Sequence, residues 1–95
     1  MIERHVTFQV IPGMGHDFEQ FFIQSYRPAL ASMPGYIKAD LLQESETKDT
    51  YQMVIRFENE MVAAAWRSSV QHENLKPRFK EFMTGSQLQV YQVVG

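Results

Sequence analysis

Apolar and polar positions alternate over residues 2–11. Ile2, Arg4, Val6, Phe8 and Val10 share one face, and Glu3, His5, Thr7, Gln9 and Ile11 the other. Period two with β-branched residues predicts a strand, which Pro12 and Gly13 end. From Asp17 the period lengthens. Phe18, Phe21, Phe22, Ser25, Ala29 and Met33 recur at helical spacing, with Gln20 placed as a capping-box partner of Asp17. Pro28 lies inside this pattern and has no N–H for the Gln24 carbonyl. A kink or local unwinding is therefore expected near Gln24, beside Tyr26 and Arg27. Met33-Pro34-Gly35 stops the helix.

Two further alternating runs follow. Residues 36–43 place Ile37, Ala39 and Leu41 on one face, and residues 51–58 do the same with Tyr51, Met53, Ile55 and Phe57. The polar run 44–50 between them makes a hairpin the economical pairing. Asn59 caps a second helix whose inward stripe reads Val62, Ala65, Trp66, Ser69 and Val70. A break is expected over residues 71–74, leaving His72 at a helix junction. The second piece carries Leu75, Phe79, Phe82 and Met83, with Pro77 in its first turn, and Thr84-Gly85 ends it. Residues 87–94 alternate again and form the last strand. The order β-α-β-β-α-β is the ferredoxin-like arrangement of the α+β class, one four-stranded antiparallel sheet with helices on one face.

A chain of 95 residues suits one domain spanning residues 1–95. Its net charge of −2 supplies no basic field for nucleic acid or an anionic membrane. The absence of cysteine removes disulfides, thiolate metal sites and thiol nucleophiles together. No basic-apolar leader opens the chain, and no apolar run approaches the roughly 18 residues of a membrane span. The expectation is a soluble, cytoplasmic domain. Ile11 and Val54 sit among the polar residues of the sheet's other face. That face is too apolar to leave bare, and a homodimer is the simplest way to cover it.

Candidate chemistry concentrates around Trp66, the sole tryptophan, and His72 six residues later. The three histidines are scattered, no carboxylates accompany them at ligand spacing, and no metal site is expected. Gly13-Met14-Gly15 lacks the third glycine of a dinucleotide loop, and Ser68 and Ser69 lie in a helix, away from any nucleophile elbow. What remains is a substrate that reacts with oxygen directly, with no cofactor. A deprotonated phenol or quinol passes an electron to oxygen if the protein excludes water and stabilises the phenolate. In this reading His72 is the base and Trp66 the aromatic wall, the two catalytic candidates. Arg4 or Tyr51 holds an oxygen, and Tyr26 and Phe22 complete the substrate-binding set. The blander reading makes the aromatic stripe core and His72 a capping or surface residue. His5, on the polar face, suits solvent or a subunit contact better than catalysis.

Several short features together resemble one family. The first strand ends in Pro12-Gly13, Met33-Pro34-Gly35-Tyr36 joins helix to strand, and Phe57-Glu58-Asn59-Glu60 steps from strand to helix. Ala65-Trp66, Ser69-Val70-Gln71-His72 and Phe82-Met83-Thr84-Gly85 extend the likeness along nearly the whole chain. In order and spacing these are similar to the antibiotic-biosynthesis monooxygenases. The resemblance implies a dimeric α+β barrel, two sheets packed face to face, each subunit keeping a pocket between sheet and helices. It also implies a small-molecule substrate, with cofactor-independent oxygenases, haem-degrading enzymes and an isomerase of a phosphorylated sugar among the members. The haem-degrading pattern asks for an asparagine on the first strand, a tryptophan on the second helix and a histidine ten places later. Trp66 matches, but Val6 occupies or adjoins the first position and Lys76 the last. Three readings stand: a cofactor-free monooxygenase of a small aromatic, a non-oxidative enzyme or binder of a small polar metabolite, and a catalytically silent dimeric domain. An open cavity beside Trp66 would argue against the last.

Overall fold

A computed structural model describes all residues, Met1–Gly95. Four strands, β1 (Ile2–Val10), β2 (Tyr36–Gln43), β3 (Thr50–Phe57) and β4 (Met83–Gln92), form one antiparallel sheet in the order β2-β3-β1-β4. Between β1 and β2 run α1 (Gly15–Phe21), a π turn (Phe22–Tyr26) and α2 (Arg27–Ala31). Between β3 and β4 run α3 (Glu60–Arg67) and α4 (Val70–Lys80). This is the expected α+β ferredoxin-like fold. The core lies between the helices and one sheet face, where Ile2, Phe8, Tyr51, Met53, Ile55 and Phe57 are buried as the period-two pattern requires. No helix is long and apolar enough to cross a membrane.

The first helix departs from its expected form in two ways. It starts at Gly15, with Met14 at the N-cap and no side-chain cap, so Asp17 lies in the first turn and does not act as the cap. The unwinding expected near Gln24 takes the form of a π turn, in which the Arg27 N–H donates to the Phe22 carbonyl, five residues back. Pro28 follows at once, and its missing N–H leaves the ordinary i−4 pattern without its next donor. The wider turn shifts the inward face by one residue. Tyr26 and Leu30 are buried where Ser25 and Ala29 were expected, and Ser25 is exposed.

The second helical region breaks earlier than expected, at Ser68 and Ser69. The Ser68 hydroxyl donates back to the Ala64 carbonyl at 3.1 Å, and Ser69 caps α4 by accepting the His72 N–H at 3.1 Å. His72 therefore lies in the first turn of α4, and Pro77 is inside that helix, not in its first turn. The new axis leaves Val70 72% exposed, although the helical stripe had placed it inward. Ala65 is exposed too, and Ala63 and Trp66 carry the buried face of α3.

Two strand details also differ. A bulge between Tyr36 and Lys38 puts Tyr36 opposite Phe57 and leaves Ile37 exposed. β4 begins at Met83, so Thr84 and Gly85 lie in the strand and do not end the helix. Gly35, at φ 85°, follows Pro34 in the turn into β2. Val62 of α3 packs where its side chain would be, 2.5 Å from an ideal Cβ.

Candidate functional site

β1 lays Arg4, Val6 and Phe8 side by side on the helix-facing surface, and β3 adds Met53. α4 crosses above with His72, Lys76, Phe79 and Lys80, the i, i+4, i+7, i+8 spacing of one helical face. Tyr26 of the π turn, with Met83 and Ser86 of β4, completes the wall. Together they line an open cavity of about 200 Å³.

Trp66 stands one layer behind. It is 2% exposed and meets the Tyr26 ring edge-on at 5.6 Å and the His72 ring at 5.3 Å, fixing both from the rear. Ser69 ties the two halves together, since its hydroxyl donates to the Trp66 carbonyl at 2.8 Å while accepting the His72 N–H.

Two polar atoms here are buried and have no hydrogen-bond partner, Arg4 Nη1 and His72 Nδ1. Buried polar groups are ordinarily satisfied, and both of these belong to residues that line the cavity. Burial lowers the His72 pKa below its ordinary value. The Lys76 and Arg4 charges act in the same direction, while Glu73 and the Arg67 backbone pull the other way. The ring is accordingly neutral at pH 7 and able to accept a proton. Burial, then the neighbouring Arg67 charge, also lowers the Arg4 pKa, yet a guanidinium stays charged under all physiological conditions. Burial raises the Tyr26 phenol, against the Trp66 side chain and the Arg4 charge, which keeps it a neutral hydroxyl.

Of the six expected site residues, Arg4, Tyr26 and His72 line this cavity, and Trp66 supports it without lining it. The structure does not bring Tyr51 and Phe22 to it. They line a separate cleft of about 240 Å³ with Glu19, Ile23, Arg27 and Gln43. There the polar groups satisfy one another. The Tyr51 hydroxyl donates to Glu19 at 2.5 Å and accepts from Gln43 at 3.3 Å, and Arg27 lies over the Phe22 ring at 5.3 Å. Burial, and then the Glu19 hydrogen bond, push the Tyr51 phenol far above its usual range.

Sequence reasoning missed Ser69, Lys80 and the methionines, and noticed Lys76 only as a departure from the haem-degrading pattern. A serine three residues before His72 was the available signal for a cap. Nowhere do three His, Asp or Glu side chains converge as ligands for a metal ion.

A family model described as antibiotic biosynthesis monooxygenase matches residues 1–84. Among solved structures, SnoaB from Streptomyces nogalater, a cofactor-independent oxygenase, superposes with a TM-score of 0.88 at 16% identity, over 99% of this chain and 93% of that one. A protein from Bordetella bronchiseptica described as a candidate antibiotic biosynthesis monooxygenase superposes at 0.86 with 24% identity, over 98% and 96%. A conserved protein from Methanosarcina mazei Go1 does so at 0.85 with 17% identity, over 96% and 90%. At these identities the likeness establishes the fold. Comparison with curated protein sequences gave no match.

Proposed function

The chain belongs to the antibiotic biosynthesis monooxygenase family, and from that premise we propose that the cavity under α4 oxygenates a small phenol or quinol with molecular oxygen and no resident cofactor. The carrying observation is that Arg4 of β1 and His72 of α4, each with a buried nitrogen that lacks a partner, line one cavity together with Phe8, Met53 and Phe79. A phenol entering it meets a neutral imidazole to take its proton and a guanidinium to stabilise the phenolate. Phe8, Phe79 and Met53 supply an apolar surround that keeps the charge interaction strong.

The phenolate then transfers one electron to oxygen. Recombination of the aryloxyl radical with superoxide forms a C–O bond at a ring carbon ortho or para to the hydroxyl that carries a hydrogen. Loss of that carbon's proton and cleavage of the O–O bond release water and leave a quinone. The substrate supplies all the electrons, and one oxygen atom enters the product. The volume supports this reading. A cavity of about 150 Å³ accepts benzene in other proteins, so about 200 Å³ suits one substituted ring. A three-ring flavin beside a substrate would exceed it. SnoaB's description as cofactor-independent points the same way. The open space in front of Trp66 weighs against a silent, filled core.

We further propose that the chain acts as one domain over residues 1–95 and pairs as a homodimeric α+β barrel. The outer sheet face carries half-exposed Leu42 and Tyr91 beside Val54, apolar surface that a second copy would cover. A solution mass of one subunit would reject the pairing. For the chemistry, oxygen uptake against single-ring quinols, corrected for autoxidation, is expected to exceed background and to fall in His72→Gln and Arg4→Met. No uptake above background would move the site to the non-oxidative reading, an enzyme or binder of a small polar metabolite.

A further inference from the structure

The cavity's charge is one-sided. Its lining includes Arg4, Lys76 and Lys80 and no carboxylate, in a chain whose net charge is −2. Of the nine lysines and arginines, Lys38, Arg56, Arg67 and Arg78 make ion pairs. Three of the five that do not are the cations of this cavity. Lys76 and Lys80 are four residues apart on α4, so they stand side by side on one helical face, exposed at the rim. Two unpaired like charges at that spacing repel each other, which an anion between them would relieve. The carboxylates of the same helix do not neutralise them. Glu81 pairs with Arg78, and Glu73 lies outside the lining. Arg4 by contrast reaches inward, with Nη1 buried.

We propose that the ligand is a single-ring hydroxyaromatic carrying an anionic oxygen substituent, its hydroxyl directed to Arg4 and His72 and its anionic group held at the mouth by Lys76 and Lys80. This rests on the reading of the cavity as the oxygenation site and names the substrate class it takes. A carboxylate and a phosphate ester satisfy the same two ammonium groups. A neutral quinol of equal size fills the apolar surround but leaves the lysines unpaired.

The test is anaerobic calorimetric titration of the whole protein with hydroquinone, with its carboxylated form gentisate and with its monophosphate ester. At low salt one or both anions should bind roughly tenfold tighter than hydroquinone, as two partly exposed charge pairs allow, with the preference shrinking at high salt. Whichever anion binds more tightly identifies the substituent. The ratio of anion to hydroquinone affinity should fall to near unity in the Lys76→Gln/Lys80→Gln double variant and persist in the Lys76→Arg/Lys80→Arg one. Equal affinity for all three compounds, no binding of any, or a preference that survives the glutamine substitutions would overturn the inference. Oxygen uptake with the same compounds separates it from the reading beneath it. Anion preference without uptake leaves the binding inference standing and removes the oxygenase. Uptake from hydroquinone with no anion preference does the reverse.

Discussion

Tyr51 and Tyr26 are both buried phenols in the layer between sheet and helices, and their surroundings differ. Around Tyr51 the polar groups are paired. Phe18, with 0% exposure, lies edge-on to Tyr51, Phe8 and Phe79 at 5.4 to 5.7 Å, and the Tyr51 hydroxyl is bonded to Glu19 and Gln43. Both tyrosines border open space, about 240 Å³ at Tyr51 and about 200 Å³ at Tyr26, but only near Tyr26 do two buried nitrogens, on Arg4 and His72, lack partners. Buried polar atoms without partners cost stability. The aromatic packing at the Tyr51 end offsets that cost within the same core, and Phe79 belongs to both ends. One end of the layer has its polar groups paired within the fold, and the other leaves two without partners.

Substitutions should separate the two halves. The largest effect is expected from Phe18→Ala, which removes the ring at the centre of the aromatic packing beside Tyr51 and should lower unfolding free energy by about 3–5 kcal/mol. Denaturant titration would measure it, and a loss below about 1 kcal/mol would mean that this end is loosely packed. Arg4→Met should do the opposite. Turnover falls by about 10²–10³-fold, while stability holds or rises because an unpartnered buried nitrogen is gone. Oxygen uptake and thermal melting read the two effects. A fall in stability as large as that of Phe18→Ala would make Arg4 structural.

His72→Gln should reduce turnover by roughly 10²-fold, and the pH dependence sharpens the assignment. The folded-state pKa of His72 lies below its ordinary 6.5, so the unfolded chain takes the proton first as pH falls through that value. Wild-type stability should therefore decline below pH 6.5 relative to His72→Gln. Turnover, which needs the neutral ring, should fall at still lower pH. Parallel stability curves for the two proteins would remove the buried, neutral imidazole from the argument. Tyr51→Phe is the mildest change. It should cost about 1–2 kcal/mol from the lost hydroxyl bonds and leave turnover alone, whereas a tenfold loss of turnover would move the site to the other cleft.

Much of this was legible along the chain. Trp66 and His72 stand six residues apart in the sequence, and Ser69 holds them together, its hydroxyl bridging the Trp66 carbonyl and the His72 amide. Pro28 announced a disturbance near Gln24, because a missing N–H is a property of the residue itself. What it did to the helix was not legible. Tightening, kinking and widening all answer one lost donor, and packing selected the π turn that carries Tyr26 inward. Tyr51 and Arg4 illustrate the other limit. Both sit on the helix-facing side of the sheet, as alternation requires, yet they belong to different cavities. Period two assigns a face and is silent about which helix lies above it.

Local chemistry in the sequence determined the strands, the order β-α-β-β-α-β, the cap at Asn59 and the inward face of β1 and β3. Each follows from the side-chain period or from a single residue's backbone preference. Tertiary structure decided the matters that depend on residues distant in the chain. It placed Arg4 of β1 beneath His72 of α4, left their two nitrogens without partners, and gathered Lys76 and Lys80 at the mouth while sending Tyr51 to Glu19. Whether a buried nitrogen finds a partner depends on how several elements pack at once, and no local pattern encodes that packing.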